Sequence, residues 1–166
     1  MTTDAKTIYQ GSLRNTHALE QQGLQQVERQ LDGLSDYPEY QALLRRHADT
    51  IRTQLGRIER ALDEAGGSAS GAQETFMGAV GAAGAAVHGL FQDTTLKNLY
   101  AGYAYQYDQI AAYTSLAVIA EEAGFAQHRG WIETTIAEEK AAAKEVEALI
   151  EPVTRRYLER TLRENA

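Results

Sequence analysis

Glu20 and Glu139 stand at positions where the surrounding pattern asks for leucine. Glu20 lies in the run Leu13, His17, Glu20, Leu24, Val27, Leu31, Leu34, whose steps alternate between four and three. His47 and Gln54 interrupt the run Tyr40, Leu44, Ile51, Ile58, Leu62 in the same way. Gln106, with Gln109 beside it, interrupts Leu99, Tyr103, Ile110, Tyr113, and Glu139 interrupts Ile132, Thr135, Ala142, Val146. A buried carboxylate is costly unless it is paired, protonated or bound to a metal. Four runs that each carry a polar group at mid-length suggest that these groups meet. Carboxylates gathered in this way can bridge a pair of iron or manganese ions. Such centres take one Glu from each of two helices and a Glu-x-x-His unit from each of the other two.

The spacing meets that requirement only in part. No His follows a Glu or Asp by three or four residues, and the reversed order occurs once, as His17-x-x-Glu20. Only Glu20 and Glu139 fall on the apolar runs, while Asp49 and Glu138 lie just beside them. Gln106 and Gln109 offer neutral amides, weak ligands for a hard, highly charged site. The candidate metal ligands are therefore Glu20, Glu139 and His47, with Gln54, Gln106, Gln109 and Glu138 as neighbours. The competing expectation is a hydrogen-bonded network in which amide N–H groups satisfy the carboxylates and one carboxyl is protonated. No cofactor is expected on that reading; iron or manganese is expected if the site functions.

The elements that must position these residues follow from periodicity. Apolar residues recur at helical spacing and no stretch alternates as a strand does. The pattern predicts helices over about 10–32, 38–65, 94–123 and 125–150. Pro38 suits a first helical turn, and the run Gly66-Gly67-Ser68-Ala69-Ser70-Gly71 is a clear breaker. Pro152 is expected to kink or break the last helix, leaving a C-terminal helical extension from Val153 to about Arg163. Between the second and third long helices, Phe76 to Phe91 is rich in Ala and Gly. It is too short and too poor in large apolar side chains to span a membrane, and reads as a short buried helix. Placed there it would cross from one bundle end to the other. The fold class expected is all-α: a ferritin-like antiparallel four-helix bundle with a short crossover helix. Residues 1–166 form one domain on this reading, with a core over roughly residues 9 to 158.

Composition agrees and narrows the function. The chain has 166 residues, a formal net charge of −7 and no Cys. That rules out a disulfide partner, thiol catalysis and Cys-ligated zinc. The acidic balance argues against a nucleic-acid partner. The first residues, MTTDAKTIYQGSL, lack the blocks of a signal peptide, so a cytoplasmic location is expected. Tyr100, Tyr103, Tyr105 and Tyr107 read as packing residues, some facing a partner subunit, which favours a homodimer. His17, His88 and His128 carry little signal, and the arginines Arg155, Arg156, Arg160 and Arg163 alternate with glutamates near a helix end.

In order and spacing, several pieces resemble the YciE/YciF family of bacterial stress proteins. They are His17-Ala18-Leu19-Glu20-Gln21-Gln22, Tyr37-Pro38-Glu39, Leu44-Arg45-Arg46-His47 and Gln54-Leu55-Gly56-Arg57-Ile58-Glu59. Ile110-Ala111-Ala112-Tyr113, Ser115-Leu116 and Glu138-Glu139 with Ala142 complete the set. The resemblance implies a ferritin-like bundle, often dimeric, linked to stress responses and able in many members to hold a di-metal centre. The family has Glu-x-x-Glu before Ile-Ala-x-Tyr, where this chain has Gln106 and Gln109. Two functions are therefore expected to compete. One is a non-enzymatic structural or stress-associated protein with a degenerate di-metal site. The other is an iron- or manganese-binding protein with ferroxidase or peroxide-scavenging activity.

Overall fold

The structure, a computed structural model, describes residues 4–68 and 94–164. Every regular element among them is helical. The order is α1 (Ala5–Leu31), α2 (Pro38–Glu64), α3 (Thr94–Glu122), a short 3-10 turn (Ala126–His128) and α4 (Arg129–Glu164). The helix expected between Phe76 and Phe91, and His88 within it, lie outside the described residues.

Local chemistry sets the helix ends. Asp4 is extended and accepts a hydrogen bond from the Thr7 amide at 2.7 Å, so α1 starts earlier than the apolar pattern alone suggests. Pro38 opens α2, where a missing N–H is harmless. Helices α2 and α3 both stop at a glycine in the left-handed region, Gly66 with φ 73° and Gly124 with φ 83°. In each case the next amide reaches back to the last turn, Gly67 N to Leu62 O and Phe125 N to Ala120 O, both at 2.8 Å. Pro152 does not break the last helix: α4 is continuous over 36 residues. The proline costs a backbone hydrogen bond, but it faces solvent, and buried Val146 and Val153 hold the helix to the core on either side of it.

Helix α1 packs against α2 and α3 against α4, and the two hairpins meet through α1 with α3 and α2 with α4. Two apolar clusters fill opposite ends. One joins Tyr9, Leu13, Ile58, Leu62, Tyr113, Leu116 and Ile132. The other joins Val27, Leu34, Tyr40, Leu44, Ile51, Leu99, Val146 and Val153. Helix α2 finishes beside the first cluster and α3 begins beside the second, so α2 and α3 run parallel. The four pairs that pack against each other all run antiparallel. That is the ferritin-like arrangement, and the bundle expected from the sequence is present.

Helices α1 and α3 come close enough that a side chain at Gly23 would collide with the Tyr105 ring and hydroxyl. The contact carries the Tyr105 hydroxyl to the Leu19 carbonyl at 3.0 Å. It sits at mid-bundle, between the two apolar clusters, where the polar residues collect.

Candidate site in the bundle core

All four helices contribute to a polar layer. Glu20 comes from α1, Gln54 from α2, Gln106 and Gln109 from α3 and Glu139 from α4, each at most 1% exposed. Their burial is what the interrupted apolar runs predict. Tyr113 donates its hydroxyl to Glu20 Oε1 at 2.6 Å. Gln54 donates its amide to Glu139 Oε1 at 2.7 Å and, more weakly, to Glu138 Oε2 at 3.2 Å. Gln109 donates to the Tyr105 hydroxyl at 2.5 Å. On one flank, the Gln106 amide nitrogen lies 3.1 Å from His47 Nε2.

The candidate residues thus divide. Two hydrogen-bonded groups result: Glu20 with Tyr113 and Gln109 with Tyr105 on the side of α1 and α3, and Gln54 with Glu139 and Glu138 on the side of α2 and α4. His47 is buried but bonded to Gln106 rather than to a carboxylate. Glu138 is half-buried and gripped by Arg57, whose two nitrogens reach its two oxygens at 2.6 and 2.8 Å. The same guanidinium bonds Thr135 at 3.0 Å. Asp49 points outward to Arg52 at 2.7 Å, and His17 pairs with Glu59 at 3.1 Å away from both groups. Sequence spacing did not reveal Tyr105, Tyr113 and Arg57 as partners. Tyr113 reads as packing because it sits on an apolar run, and an aromatic ring conceals the polar use of its hydroxyl.

Electrostatics follow from burial. Loss of water pushes the Glu20 carboxyl up to about 8, and repulsion from Glu139 adds to this. Hydrogen bonds from Tyr113 and Tyr105 pull in the other direction. Burial likewise lifts Glu139 to about 7 against the opposing bond from Gln54. Burial pushes the Glu138 carboxyl up too, but the bonds from Arg57 and Gln54 outweigh it and hold that group low. Burial drops His47 to about 4, so its imidazole is neutral. The Tyr105 and Tyr113 hydroxyls are raised well above their usual value by burial and remain donors.

Accounting for donors and acceptors exposes an imbalance. Glu20 Oε2, Glu139 Oε2, Gln54 Oε1, Gln106 Oε1 and Gln109 Oε1 are buried without a hydrogen-bond partner, as is His17 Nδ1. Five of these six atoms are oxygens. The N–H and phenol donors are outnumbered by acceptors, and a proton held on the raised Glu20 or Glu139 carboxyl supplies a further donor to the layer.

A second constellation, with Tyr9 and His128 buried and Glu64 exposed, lies at the far end of the bundle. Tyr9 Oη is 2.7 Å from His128 Nδ1, and His128 Nε2 is 2.6 Å from Glu64 Oε2. It ties the start of α1 to the end of α2 and to the turn before α4. Nothing in the sequence spacing marks it, because its three residues come from three separate elements.

A family model described as a domain of unknown function, DUF892, matches residues 4–159. The chain belongs to the DUF892 family. Solved structures place the DUF892 bundle beside three relatives in fold. A protein of Xanthomonas campestris pv. campestris superposes with a TM-score of 0.80 at 21% identity, covering 96% of this chain and 99% of that one. YcfI of Rhodopseudomonas palustris gives 0.68 at 19% identity, over 87% and 94%. The Escherichia coli stress protein YciF gives 0.67 at 18% identity, over 90% and 96%. The likeness to YciF read from the sequence is thereby upheld, and at these identities the structures speak for the fold.

A di-iron or di-manganese centre of the bundle type does not fit the DUF892 residues gathered here. It calls for four carboxylates and two imidazoles. Only Glu20 and Glu139 offer a free carboxylate oxygen to the layer, and His47 bonds Gln106 instead. Among the described residues, no group of three or more His, Cys, Asp or Glu side chains is placed to hold a metal ion.

Proposed function

We propose that this chain is a non-enzymatic helical scaffold of the stress-associated kind, with a di-metal site that has degenerated. One observation carries the reading. At mid-core, where the relatives' pattern has two glutamates, Gln106 and Gln109 present amides whose nitrogens bond His47 and Tyr105. Two carboxylates lack the charge to hold two divalent ions in a dry interior. The stress association rests on the likeness to YciF, which is called a stress protein. The same reading takes the chain as a homodimer joined through the outer face of α3.

Expression in medium supplemented with iron and manganese, followed by elemental mass spectrometry, tests the degenerate site. Iron and manganese are expected far below one ion per chain. One or two ions per chain, lost in a Glu20→Ala/Glu139→Ala variant, would overturn the reading. Conversely, Gln106→Glu/Gln109→Glu is expected to gain metal, because it doubles the number of carboxylates in the layer.

A further inference from the structure

The aromatic end of the bundle holds a buried tyrosine with a proton exit. Tyr9 is fully buried, and its hydroxyl lies 2.7 Å from His128 Nδ1. His128 Nε2 lies 2.6 Å from Glu64 Oε2, and the Glu64 side chain is 58% exposed. A carboxylate only accepts, so Nε2 carries the imidazole proton and Nδ1 is left to accept from the Tyr9 hydroxyl. On the other side a line of rings continues. The His128 ring stands 5.8 Å from that of Tyr9 and 6.2 Å from that of Trp131, centre to centre. Trp131 is half-buried and is the one Trp of the chain. Phe125 packs at 5.1 Å from Tyr9 and 5.3 Å from His128.

We propose that Tyr9 is a radical sink: it gives one electron to an oxidised Trp131 and its phenolic proton to His128. The oxidant is an oxygen-centred radical that meets Trp131 at the surface and leaves as its one-electron-reduced anion. The indole radical cation takes an electron from Tyr9. In the same step the phenolic proton passes to His128 Nδ1, and the proton on Nε2 passes to Glu64 and on to water. The indole is restored, Tyr9 is left as a neutral phenoxyl, and the released proton balances the anion. A phenol that keeps its proton is a poor electron donor, because the radical cation it would leave is a strong acid. The base at 2.7 Å is therefore what makes Tyr9 a donor. Burial then shields the phenoxyl from coupling with a second radical. The chain has no Cys, so no thiol competes for the hole.

Tyr113 is the rival site. Its ring stands 6.4 Å from that of Trp131, and its hydroxyl donates to Glu20 at 2.6 Å. Glu20 is fully buried, so a proton placed on it stays in the core, ready to return. From Tyr9 the proton leaves through an exposed carboxylate, and the oxidised ring is left without it. Tyr9, His128 and Glu64 all lie outside the polar layer, so the scaffold reading neither requires nor forbids this chemistry.

The test is flash-quench oxidation of the full chain by a photogenerated ruthenium(III) polypyridyl complex, read by freeze-quench electron paramagnetic resonance. Radicals on exposed tyrosines such as Tyr107 are expected to couple and decay first, leaving a long-lived tyrosyl signal. Tyr9→Phe, which keeps the ring, should stay helical by circular dichroism and lose that signal, while Tyr107→Phe and Tyr113→Phe keep it. Trp131→Phe should lose most of the yield. His128→Gln should slow formation by about 100-fold or more, and the slowing seen for the wild type in D2O should disappear. A long-lived signal that survives Tyr9→Phe, or one that vanishes with Tyr113→Phe instead, would overturn the proposal. So would a tryptophanyl signal alone, a yield unchanged in Trp131→Phe or a rate unchanged in His128→Gln. None of these outcomes alters the metal content by which the scaffold reading is judged.

Discussion

Glu20 and Glu139 each give up water on folding without gaining a buried positive partner. The layer compensates by holding protons. The carboxyls move from an ordinary 4.5 to about 8 and about 7 in the folded chain. The folded state therefore binds more protons than the unfolded state over that range, and stability falls as pH rises through it. His47 acts in the opposite sense. Its pKa falls from 6.5 to about 4, so the stability tied to its neutral form is present above 6.5 and is lost as pH drops toward 4. The two effects separate above pH 6.5, where only the carboxyls of this layer titrate. The unfolding free energy is expected to drop between pH 6.5 and 9, by on the order of several kcal/mol at most. Denaturant titrations at both ends of that range measure it, and Glu20→Gln/Glu139→Gln should flatten the slope. At this scale the sequence showed which residues enter the layer, because each one breaks an apolar run. It did not show their partners. Tyr105, Tyr113 and Arg57 reach the layer across helix interfaces, and spacing along one helix carries no information about the helix opposite.

Glycine in a helix interior is usually replaceable. Alanine there gains about 1 kcal/mol of intrinsic propensity. At Gly56 in α2 that gain should appear, because an added Cβ would meet only the end of the Arg60 side chain at 3.8 Å. At Gly23 in α1 the sign reverses, since the added carbon would overlap the Tyr105 ring. Gly23→Ala is expected to cost about 1–3 kcal/mol, the range for overpacking a tight interior, while Gly56→Ala stabilises. Chemical denaturation of the two variants side by side checks the contrast. Most element boundaries were legible because caps and stops are local. Pro38 and the glycines at Gly66 and Gly124 announce themselves in sequence. Pro152 misled for the opposite reason: its local preference to break a helix loses to the packing of Val146 and Val153.

Across the whole molecule, α3 stands apart. From Asn98 to Ala120 it carries one charged residue, Asp108. On its outer face Tyr107 is 52% and Val118 61% exposed. Light scattering is expected to report twice the 18.3 kDa mass of the chain. Val118→Lys with Tyr107→Glu should return it to a monomer, and a wild-type monomer at micromolar concentration would remove this part of the proposal. None of the described helices is long and apolar enough to cross a membrane. The topology was legible because the stretch between Glu64 and Thr94 is long enough to return the chain from one bundle end to the other, where a short loop would have reversed it.

The position of the polar layer has one more consequence. It divides the interior into two greasy halves of similar character, which alone would let a helix slip along its neighbours. Sliding α1 by one turn, about 5.4 Å, would drive Glu20 toward leucines and strip it of Tyr113. The same slip in α4 would part Glu139 from Gln54. Leucine tolerates such shifts, while a buried acid bonded to a named hydroxyl does not. The layer therefore acts as a ruler for the bundle, fixing the axial register of four helices that are otherwise smooth enough to drift.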